Sequence, residues 1–268
     1  MKNTSIQCCF ARHEIKYRLT KAQQTALREA IASHMTPDAH PNYTISNLYY
    51  DTDNFSMIRA SLDKPDYKEK LRLRSYGLVG DGDTVFLEMK KKYDGVVFKR
   101  RIVLKAGEAM DYLENRERPE KESQILREVD ALRFFYAPEP KVYIAYDREA
   151  WAGTEDPELR LTFDTNLRWR KDALDLRADA PTALILPQDA VLMEIKTPDT
   201  IPLWLVRALE ANAVRQTSFS KYGACFREHF LPALAEEQRR SVLPESKQTG
   251  QAIRFPIRTD GGSAVRYA

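Results

Sequence analysis

The sequence predicts an α+β protein built on an antiparallel sheet that is closed or nearly closed on itself. Many short segments alternate polar and apolar residues with a period of two, and they follow one another in quick succession. The helical segments are few, and two of them, at 202–211 and 218–230, come last. The pair Asp94-Gly95 is typical of a two-residue hairpin turn between neighbouring strands. Together these features favour one curved antiparallel sheet with a few helices.

The first predicted elements are a strand at 7–19 and a helix directly after it. The strand places Arg12, Glu14, Lys16 and Arg18 on one face. Thr20, followed three residues later by Gln23, predicts a capping box at the start of a helix that ends near Ser33.

The remaining elements are punctuated by prolines. Pro37 and Pro41 predict a loop before a short strand at 43–50, and Asp53 is predicted to cap a brief helix that ends at Leu62. Further strands are predicted at 67–76, 84–92, 96–104, 141–151, 158–163, 167–171 and 190–196, with a helical region at 106–135 broken near Pro119.

The composition predicts one domain at 1–235. Residues 236–268 are polar and contain Pro244, Gly250, Gly261 and Gly262, which predicts a mobile C-terminal tail. No apolar run reaches the roughly 18 residues of a membrane span, and the first ten residues lack a secretory pattern, so a cytoplasmic protein is expected. Its cysteines, Cys8, Cys9 and Cys225, form neither a disulfide framework nor a zinc motif.

Cations are concentrated on one face of strand after strand. The net charge is only +3, so their placement is more informative than their number. Like charges on neighbouring strands repel, and such a face requires a compensating anion. The pattern therefore predicts a polyanion ligand for Lys70, Arg72, Arg74, Lys90, Lys92, Arg148, Arg160 and Lys196.

A few carboxylates share these faces, namely Glu14, Glu88 and Glu194. A hard divalent cation such as Mg²⁺ or Mn²⁺ takes carboxylate oxygens and leaves positions for phosphate oxygens. The acids therefore indicate either a metal–polyphosphate complex or salt bridges with their neighbours.

The segment from Ser218 adds a possible phosphate contact, because Ser220 and Lys221 fall in the predicted first turn of a helix, where free N–H groups favour anions. The alternative is that Ser218 is only a helix cap. Other chemistries lack support: the histidines show no metal-binding spacing, and the sequence has no P-loop and no Gly-x-Ser-x-Gly motif.

An ordered set of short motifs resembles the vacuolar transporter chaperone (polyphosphate polymerase) domain of the triphosphate tunnel metalloenzyme (CYTH-like) superfamily. The resemblance spans residues 7–230. It is carried by Arg12-His-Glu-Ile-Lys16-Tyr, Leu71-Arg-Leu-Arg-Ser-Tyr-Gly77, Leu87-Glu-Met-Lys90, Lys99-Arg-Arg, Leu161-Thr-Phe-Asp164-Thr, Leu192-Met-Glu-Ile-Lys196 and Ser218-Phe-Ser-Lys221-Tyr.

This resemblance implies an antiparallel β-barrel tunnel with helices packed outside, in which ATP donates its γ-phosphoryl group to polyphosphate with Mn²⁺ or Mg²⁺. It implies that Lys16 lies near the transferred phosphoryl group and that Glu194 binds the metal, with Glu14 and Glu88 as further candidates. The implied phosphate ligands are Arg72, Arg74, Lys90, Lys99, Tyr146, Arg148, Arg160, Lys196, Ser220 and Lys221.

Several alternatives share this site. Water as the acceptor would make the domain a triphosphatase, and loss of turnover would leave a module that binds polyphosphate or inositol polyphosphates. Nucleic acid is not expected, since the acids on the basic faces would repel its backbone. One position departs from the eukaryotic polymerase pattern: Ser218 stands where a lysine is expected, and Arg215 or Lys196 could substitute. Export of a product would need a separate membrane protein.

Overall fold

A computed structural model describes residues 13–63, 65–94, 96–115, 117–120 and 122–242. Its strands are β1 (His13–Thr20), β2 (Met35–Asp51), β3 (Tyr67–Tyr76), β4 (Thr84–Tyr93), β5 (Val96–Lys105), β6 (Glu139–Gly153), β7 (Arg160–Arg170), β8 (Ala183–Leu184), β9 (Ala190–Thr197) and β10 (Gln216–Thr217). Its α-helices are α1 (Lys21–Ile31), α2 (Ser56–Leu62), α3 (Ala106–Asn115), α4 (Gln124–Tyr136), α5 (Leu203–Ala211), α6 (Lys221–Cys225) and α7 (Leu231–Val242), with a π-helical turn at Phe226–Phe230 between the last two.

The strands form one antiparallel sheet in the order β10-β1-β9-β7-β6-β2-β3-β4-β5, with β8 beside β7. β1 and β5 lie near opposite ends of this order, yet Lys99 Nζ on β5 is 2.5 Å from Glu14 Oε1 on β1. The sheet therefore curls until its ends meet through side chains, whereas the described strands show no backbone ladder between β1 and β5. The predicted fold class, α+β with a nearly closed antiparallel sheet, is confirmed.

The convex face of the sheet is apolar and carries two helical layers. Helices α1 and α5 bury Leu27 and Leu205 against β1, β7 and β9, and helices α3 and α4 bury Met110 and Val129 against β3, β4 and β5. Each such side chain contributes roughly 1.5–3 kcal/mol when it is fully buried. These four helices lie outside the curl, as expected.

A third helical group packs on the concave face instead. Tyr49 pairs with Arg72 in the ladder, so it lies on the face that carries the cations. Tyr49, Ile144 and Leu192 share a buried cluster with Tyr222 of α6 and Phe226 of the π-helical turn. Helices α2 and α6 and the π-helical turn therefore pack against this cluster on the concave side, in addition to the helices that lie outside the curl.

Prolines do not interrupt β2, contrary to expectation. The strand runs from Met35 through Asp51, and the register against β6 shifts between Pro37 and Asn42. A bulge of this kind accommodates residues that cannot donate to the ladder. Similarly, the strands predicted at 158–163 and 167–171 are one strand, β7, in which Asn166 has a φ of 50°.

Helix α1 begins as predicted, because both hydrogen bonds of the capping box between Thr20 and Gln23 are present. Helix α2 does not begin at the predicted cap. Asp51, rather than Asp53, accepts hydrogen bonds from the N–H groups of Met57 (2.9 Å) and Ile58 (3.0 Å).

The C-terminal helices extend further than expected. The region predicted as one helix at 218–230 contains α6 and the π-helical turn, and α7 continues to Val242. The predicted tail boundary at 236 thus falls within α7, and residues 243–268 lie outside the described residues, as do Cys8, Cys9, Arg12 and Gly95. No described helix has the length and apolar character needed to cross a bilayer.

Candidate functional site

A cavity of about 410 Å³ opens on the concave face. Because side chains alternate between the faces of a strand, residues two apart on β1, β3, β4, β5 and β9 all reach it. With the exception of Arg160 and Lys92, the predicted site residues line this cavity: Glu14, Lys16, Lys70, Arg72, Arg74, Glu88, Lys90, Lys99, Tyr146, Arg148, Glu194, Lys196, Ser220 and Lys221.

Glu88 holds a group of arginines in one corner of the cavity. Its carboxylate accepts from Arg72 Nε at 2.7 Å and from Arg101 Nε at 2.8 Å, and Arg74 Nη1 lies 3.7 Å away. Burial opposes ionisation of Glu88, but the charges of Arg72, Arg74 and Arg101 prevail and lower its pKa to about 2. Glu88 is therefore a fixed anion engaged by arginines, which leaves it poorly suited to bind a metal.

Asp164 likewise forms ion pairs with two other cations of the cavity, Arg148 and Lys221. It is almost fully buried, pairs with Arg148 in the ladder and accepts from its Nε at 2.6 Å, while Lys221 Nζ donates at 2.7 Å. Burial raises the pKa of Asp164, yet Lys221 and Arg148 bring it down to about 2. Both cations also lie over the ring of Tyr146, at 4.2 Å for Lys221 and 5.3 Å for Arg148. Asp164 thus fixes the direction in which these cations point.

Lys70 and Lys90 in the cavity form no ion pair with a carboxylate of the residues that the structure describes. Lys70 donates to Ser220 Oγ at 3.2 Å, and the N–H of Gly223 donates to the same oxygen. Burial, followed by the charges of Lys90 and Lys16, lowers the pKa of Lys70 to about 7. Burial likewise lowers the pKa of Lys90 to about 8, with Lys99 and Lys16 adding to the effect against Glu14. This part of the cavity therefore carries more positive charge than its own acids neutralise.

The two remaining acids of the cavity differ in how strongly they are engaged. Burial opposes ionisation of Glu14, but the hydrogen bond and charge of Lys99 lower its pKa to about 2. Glu194 lies opposite Lys16 in the ladder, and its nearest ion-pair partner, Lys196 Nζ, is 4.0 Å away. Glu194 is therefore the cavity carboxylate with the most coordination capacity left.

This arrangement fits a divalent ion that is held chiefly by phosphate oxygens. Mg²⁺ and similar ions often take only one or two protein carboxylates and complete their shell with substrate phosphates and water. Glu194 can supply such a carboxylate. Within the described residues no cluster of three or more His, Cys, Asp or Glu side chains forms a protein-only metal site.

Comparison of the sequence with known protein families identifies one that matches most of the chain. The VTC domain family matches residues 11–230. The chain belongs to the VTC domain family.

This VTC domain is also similar to subunit 4 of the vacuolar transporter chaperone complex of Schizosaccharomyces pombe. The two are 23% identical over 266 residues, which cover 80% of this chain and 36% of that protein. The chain thus spans little more than a third of the length of this relative.

Solved structures with similarity to this VTC domain include two described as putative cyclases. A putative adenylate cyclase from Bacillus halodurans shares 14% identity with a TM-score of 0.49, over 82% of this chain and all (100%) of that chain. A putative adenylyl cyclase from Hippeastrum, described as having a dominant triphosphatase activity, shares 18% identity with a TM-score of 0.46, over 80% of this chain and 94% of that chain.

Among the phosphate ligands implied by the family resemblance, Arg160 is the one that does not line the cavity of this VTC domain. It begins β7, its side chain is 40% exposed, and its Nη1 is 2.5 Å from Asp38 Oδ2. Its Nε donates to the carbonyl oxygen of Pro157 at 3.1 Å. Although the ladder places it opposite Lys196, these local partners hold it at the end of the strand.

Arg101 and Tyr49 of this VTC domain line the cavity although the sequence did not point to them. Arg101 could have been found by alternation, because it lies two residues from Lys99. Lys70, which alternation placed on the cationic face, lines the cavity as well. Tyr49 also lines it and accepts a hydrogen bond from Arg72 Nη1 at 3.1 Å. No sequence pattern distinguished Tyr49, since the contact depends on the pairing of β2 with β3.

Proposed function

We propose that this VTC domain is a metal-dependent polyphosphate polymerase that transfers the γ-phosphoryl group of ATP to a polyphosphate chain bound in the cavity. The observation that carries the proposal is the convergence of cations from separate elements on one cavity, in which Lys70 and Lys90 form no ion pair with any described carboxylate. Such a site is completed by a ligand with several closely spaced negative charges, and a linear polyphosphate or nucleoside triphosphate has this property.

The proposed reaction depends on positioning and on neutralising charge. A terminal phosphate oxygen of the acceptor chain attacks the γ-phosphorus, a new P–O bond forms, and the bond to the β,γ-bridging oxygen breaks as ADP leaves. Arg72 and Arg74, fixed by Glu88, bind equatorial oxygens from one side, and Arg148 and Lys221, fixed by Asp164, bind them from the other. Lys16, opposite Glu194 in the ladder, stabilises charge on the transferred group.

A bound Mn²⁺ or Mg²⁺ would neutralise charge shared between the donor and acceptor phosphates, with Glu194 as its protein ligand. The other carboxylates keep the cations in place. Orientation by rigid, ion-paired arginines reduces the rearrangement needed when charge develops in the transition state.

The test is to incubate the purified chain with ATP and Mn²⁺ and to record the phosphorus NMR spectrum of the products. The proposal requires resonances of internal polyphosphate units together with ADP. Glu194→Gln is expected to lower the rate by about a hundredfold or more, on the scale seen when one electrostatic contact of a transition state is removed. Glu210→Gln, on the exposed side of α5, is the matched control and leaves the rate unchanged. Full metal-dependent activity in Glu194→Gln would remove the metal assignment.

A triphosphatase is the second candidate, and one observation favours it. Helices α2 and α6 and the π-helical turn occupy part of the concave face, which shortens the path left for a long chain. A short substrate with water as the acceptor suits such a cavity. Orthophosphate without polymer in the same spectrum would select this activity, and binding of tripolyphosphate without turnover would select a sensing module. For a polymerase, export of the product would fall to a separate membrane protein.

A further inference from the structure

Beyond the arginines, the concave face continues into a row of three aromatic side chains, Tyr43 on β2, Tyr76 on β3 and Phe86 on β4. Adjacent rings meet edge to face: the centroids of Tyr43 and Tyr76 are 5.4 Å apart at 76°, and those of Tyr76 and Phe86 are 5.6 Å apart at 78°. This set is called the aromatic row below. None of its members lines the cavity of about 410 Å³ described above.

The aromatic row directly adjoins the cations of the cavity. Tyr76 lies two residues from Arg74 on the same face of β3, a distance of about 7 Å along the strand. Phe86 lies two residues from Glu88 on β4, and Tyr43 is opposite Arg148 in the ladder. A ligand whose phosphates contact Arg74 and Arg148 therefore has its next chemical group beside the row.

Packing of the fold does not account for the exposure of the central ring. Most large apolar side chains of β3 and β4 are buried on the convex face, as Leu73 and Leu87 are. Tyr76, in contrast, is 49% exposed although Tyr43 and Phe86 support it on both sides. The guanidinium of Arg101 lies 4.7 Å from the centroid of Phe86 and occupies that ring. Tyr76 thus offers the accessible surface of the row.

We infer that Tyr76, supported by Tyr43 and Phe86, stacks on the base of a nucleoside triphosphate whose phosphates lie in the cationic cavity. The inference rests on the proposed use of a nucleotide donor. A planar base stacks on an aromatic side chain whatever its sequence identity, because every base has a π-face. The row therefore distinguishes a nucleotide from an inorganic polyphosphate, while it accepts different bases.

The experiment compares ATP with inorganic tripolyphosphate by calorimetric titration in Mg²⁺, using the full chain and the variant Tyr76→Leu. The Kd for ATP is expected to rise about tenfold, within the range measured for loss of one base–aromatic stack. The Kd for tripolyphosphate is expected to stay the same, because it has no base. Tyr76→Trp keeps the stack and is expected to bind ATP at least as tightly as the unmodified chain.

Tyr93→Leu is the matched control. Tyr93 is 61% exposed at the far end of β4, lies on the opposite face from Phe86 and contacts only the ring of Tyr67 among the described aromatic contacts. Its replacement is expected to change neither Kd, and thermal unfolding followed by circular dichroism verifies that each variant folds.

The outcomes separate the two proposals. Equal weakening of both ligands in Tyr76→Leu would show that the row only supports the cavity, and an unchanged Kd for ATP would show that the base lies elsewhere; either result overturns the inference while the proposed function stands. Failure of the unmodified chain to bind both ATP and tripolyphosphate would overturn the proposed function and the inference with it.

Discussion

Lys70 is a cavity lysine whose charge changes near neutral pH, because its pKa is lowered to about 7. The charged groups that face it are Lys68 and Arg72 on its own strand, Lys90 on β4 and Lys16 on β1, and Ser220 from α6 accepts its hydrogen bond. Burial and these cations lower its pKa to about 7. A polyphosphate in the cavity stabilises the charged form and raises this pKa, so binding near pH 8 takes up a proton.

The first prediction concerns this proton. At pH 8, titration of tripolyphosphate in buffers of different ionisation enthalpy is expected to show net proton uptake, and Lys70→Met is expected to lower it. Lys21→Met, which removes an exposed lysine of α1, leaves it unchanged. The same uptake in Lys70→Met and the unmodified chain would assign the proton to another group.

Linkage gives a second prediction for the ligand-free chain. The pKa of Lys70 is depressed in the folded state, so between about pH 7 and 10.5 the unfolded state binds more protons than the folded state. The contribution of Lys70 to the free energy of unfolding therefore increases as the pH rises through this window. Urea unfolding at pH 7 and pH 9.5 is expected to show a smaller gain for Lys70→Met than for the unmodified chain. An equal gain in both would contradict the depressed pKa.

At the scale of the elements, Asp51 joins two helices that position the site. Its buried carboxylate accepts from the N–H groups of Met57 and Ile58 at the start of α2 and from the hydroxyl of Tyr222 in α6 at 2.9 Å. Ser220 is the N-cap of helix α6 and Lys221 is its first residue, and both line the cavity. The carboxylate of Asp51, which caps α2, therefore also holds α6 in position.

The third prediction compares Asp51 with the aspartate that the sequence favoured as the cap. Asp51→Ala removes a helix cap and leaves buried donors unpaired, which is expected to lower the free energy of unfolding by about 2–4 kcal/mol. Asp53→Ala is the control: its side chain is 94% exposed and makes a surface ion pair with Lys141. Its expected cost is under about 1 kcal/mol. Urea unfolding measures both, and similar losses for the two variants would refute the assignment of Asp51 as the cap.

The elements also show how far the sequence could predict this fold. Alternation predicted β3 at its observed bounds and β4 to within one residue. It could do so because a strand with one polar face has a period-two pattern among neighbouring residues of the sequence. The hydrogen bonds of Glu88 could not be predicted from such a pattern, because its partners Arg72 and Arg101 lie on two other strands. Alternation left open whether Glu88 binds a metal or forms salt bridges, and in the structure it forms ion pairs with Arg72 and Arg101.

Over the whole molecule, the curl of the sheet and the face chosen by the last helices depend on contacts between distant residues. Lys99 and Glu14 meet across 85 positions of the chain, and the apolar residues of 218–230 do not specify which face of the sheet they cover. The gathering of cations on one face was predictable, because it depends only on which residues share a strand face. Its enclosure on one side by α6 was not.

Repulsion among the cations gathered in one cavity lowers the stability of the ligand-free fold. The last prediction concerns this cost and its relief by a bound anion. A ligand that binds only the folded state stabilises it by RT ln(1 + [L]/Kd), about 2.7 kcal/mol at a hundredfold excess over Kd. Tripolyphosphate at that excess is therefore expected to raise the Tm by roughly 5–10 °C, since about 1 kcal/mol corresponds to 2–4 °C in a domain of this size. Sulfate at equal ionic strength has too few linked charges to span the cavity and is expected to raise it much less. The double variant Lys70→Met, Lys90→Met removes two cations that have no ion-pair partner within the described part of the chain, so its ligand-free Tm is expected to rise while the shift caused by tripolyphosphate falls. Two results of thermal unfolding would contradict this prediction: the same Tm shift with sulfate as with tripolyphosphate, or a lower ligand-free Tm for the double variant. Either would show that repulsion among the cavity cations, relieved by a linear polyanion, does not limit the stability of this fold.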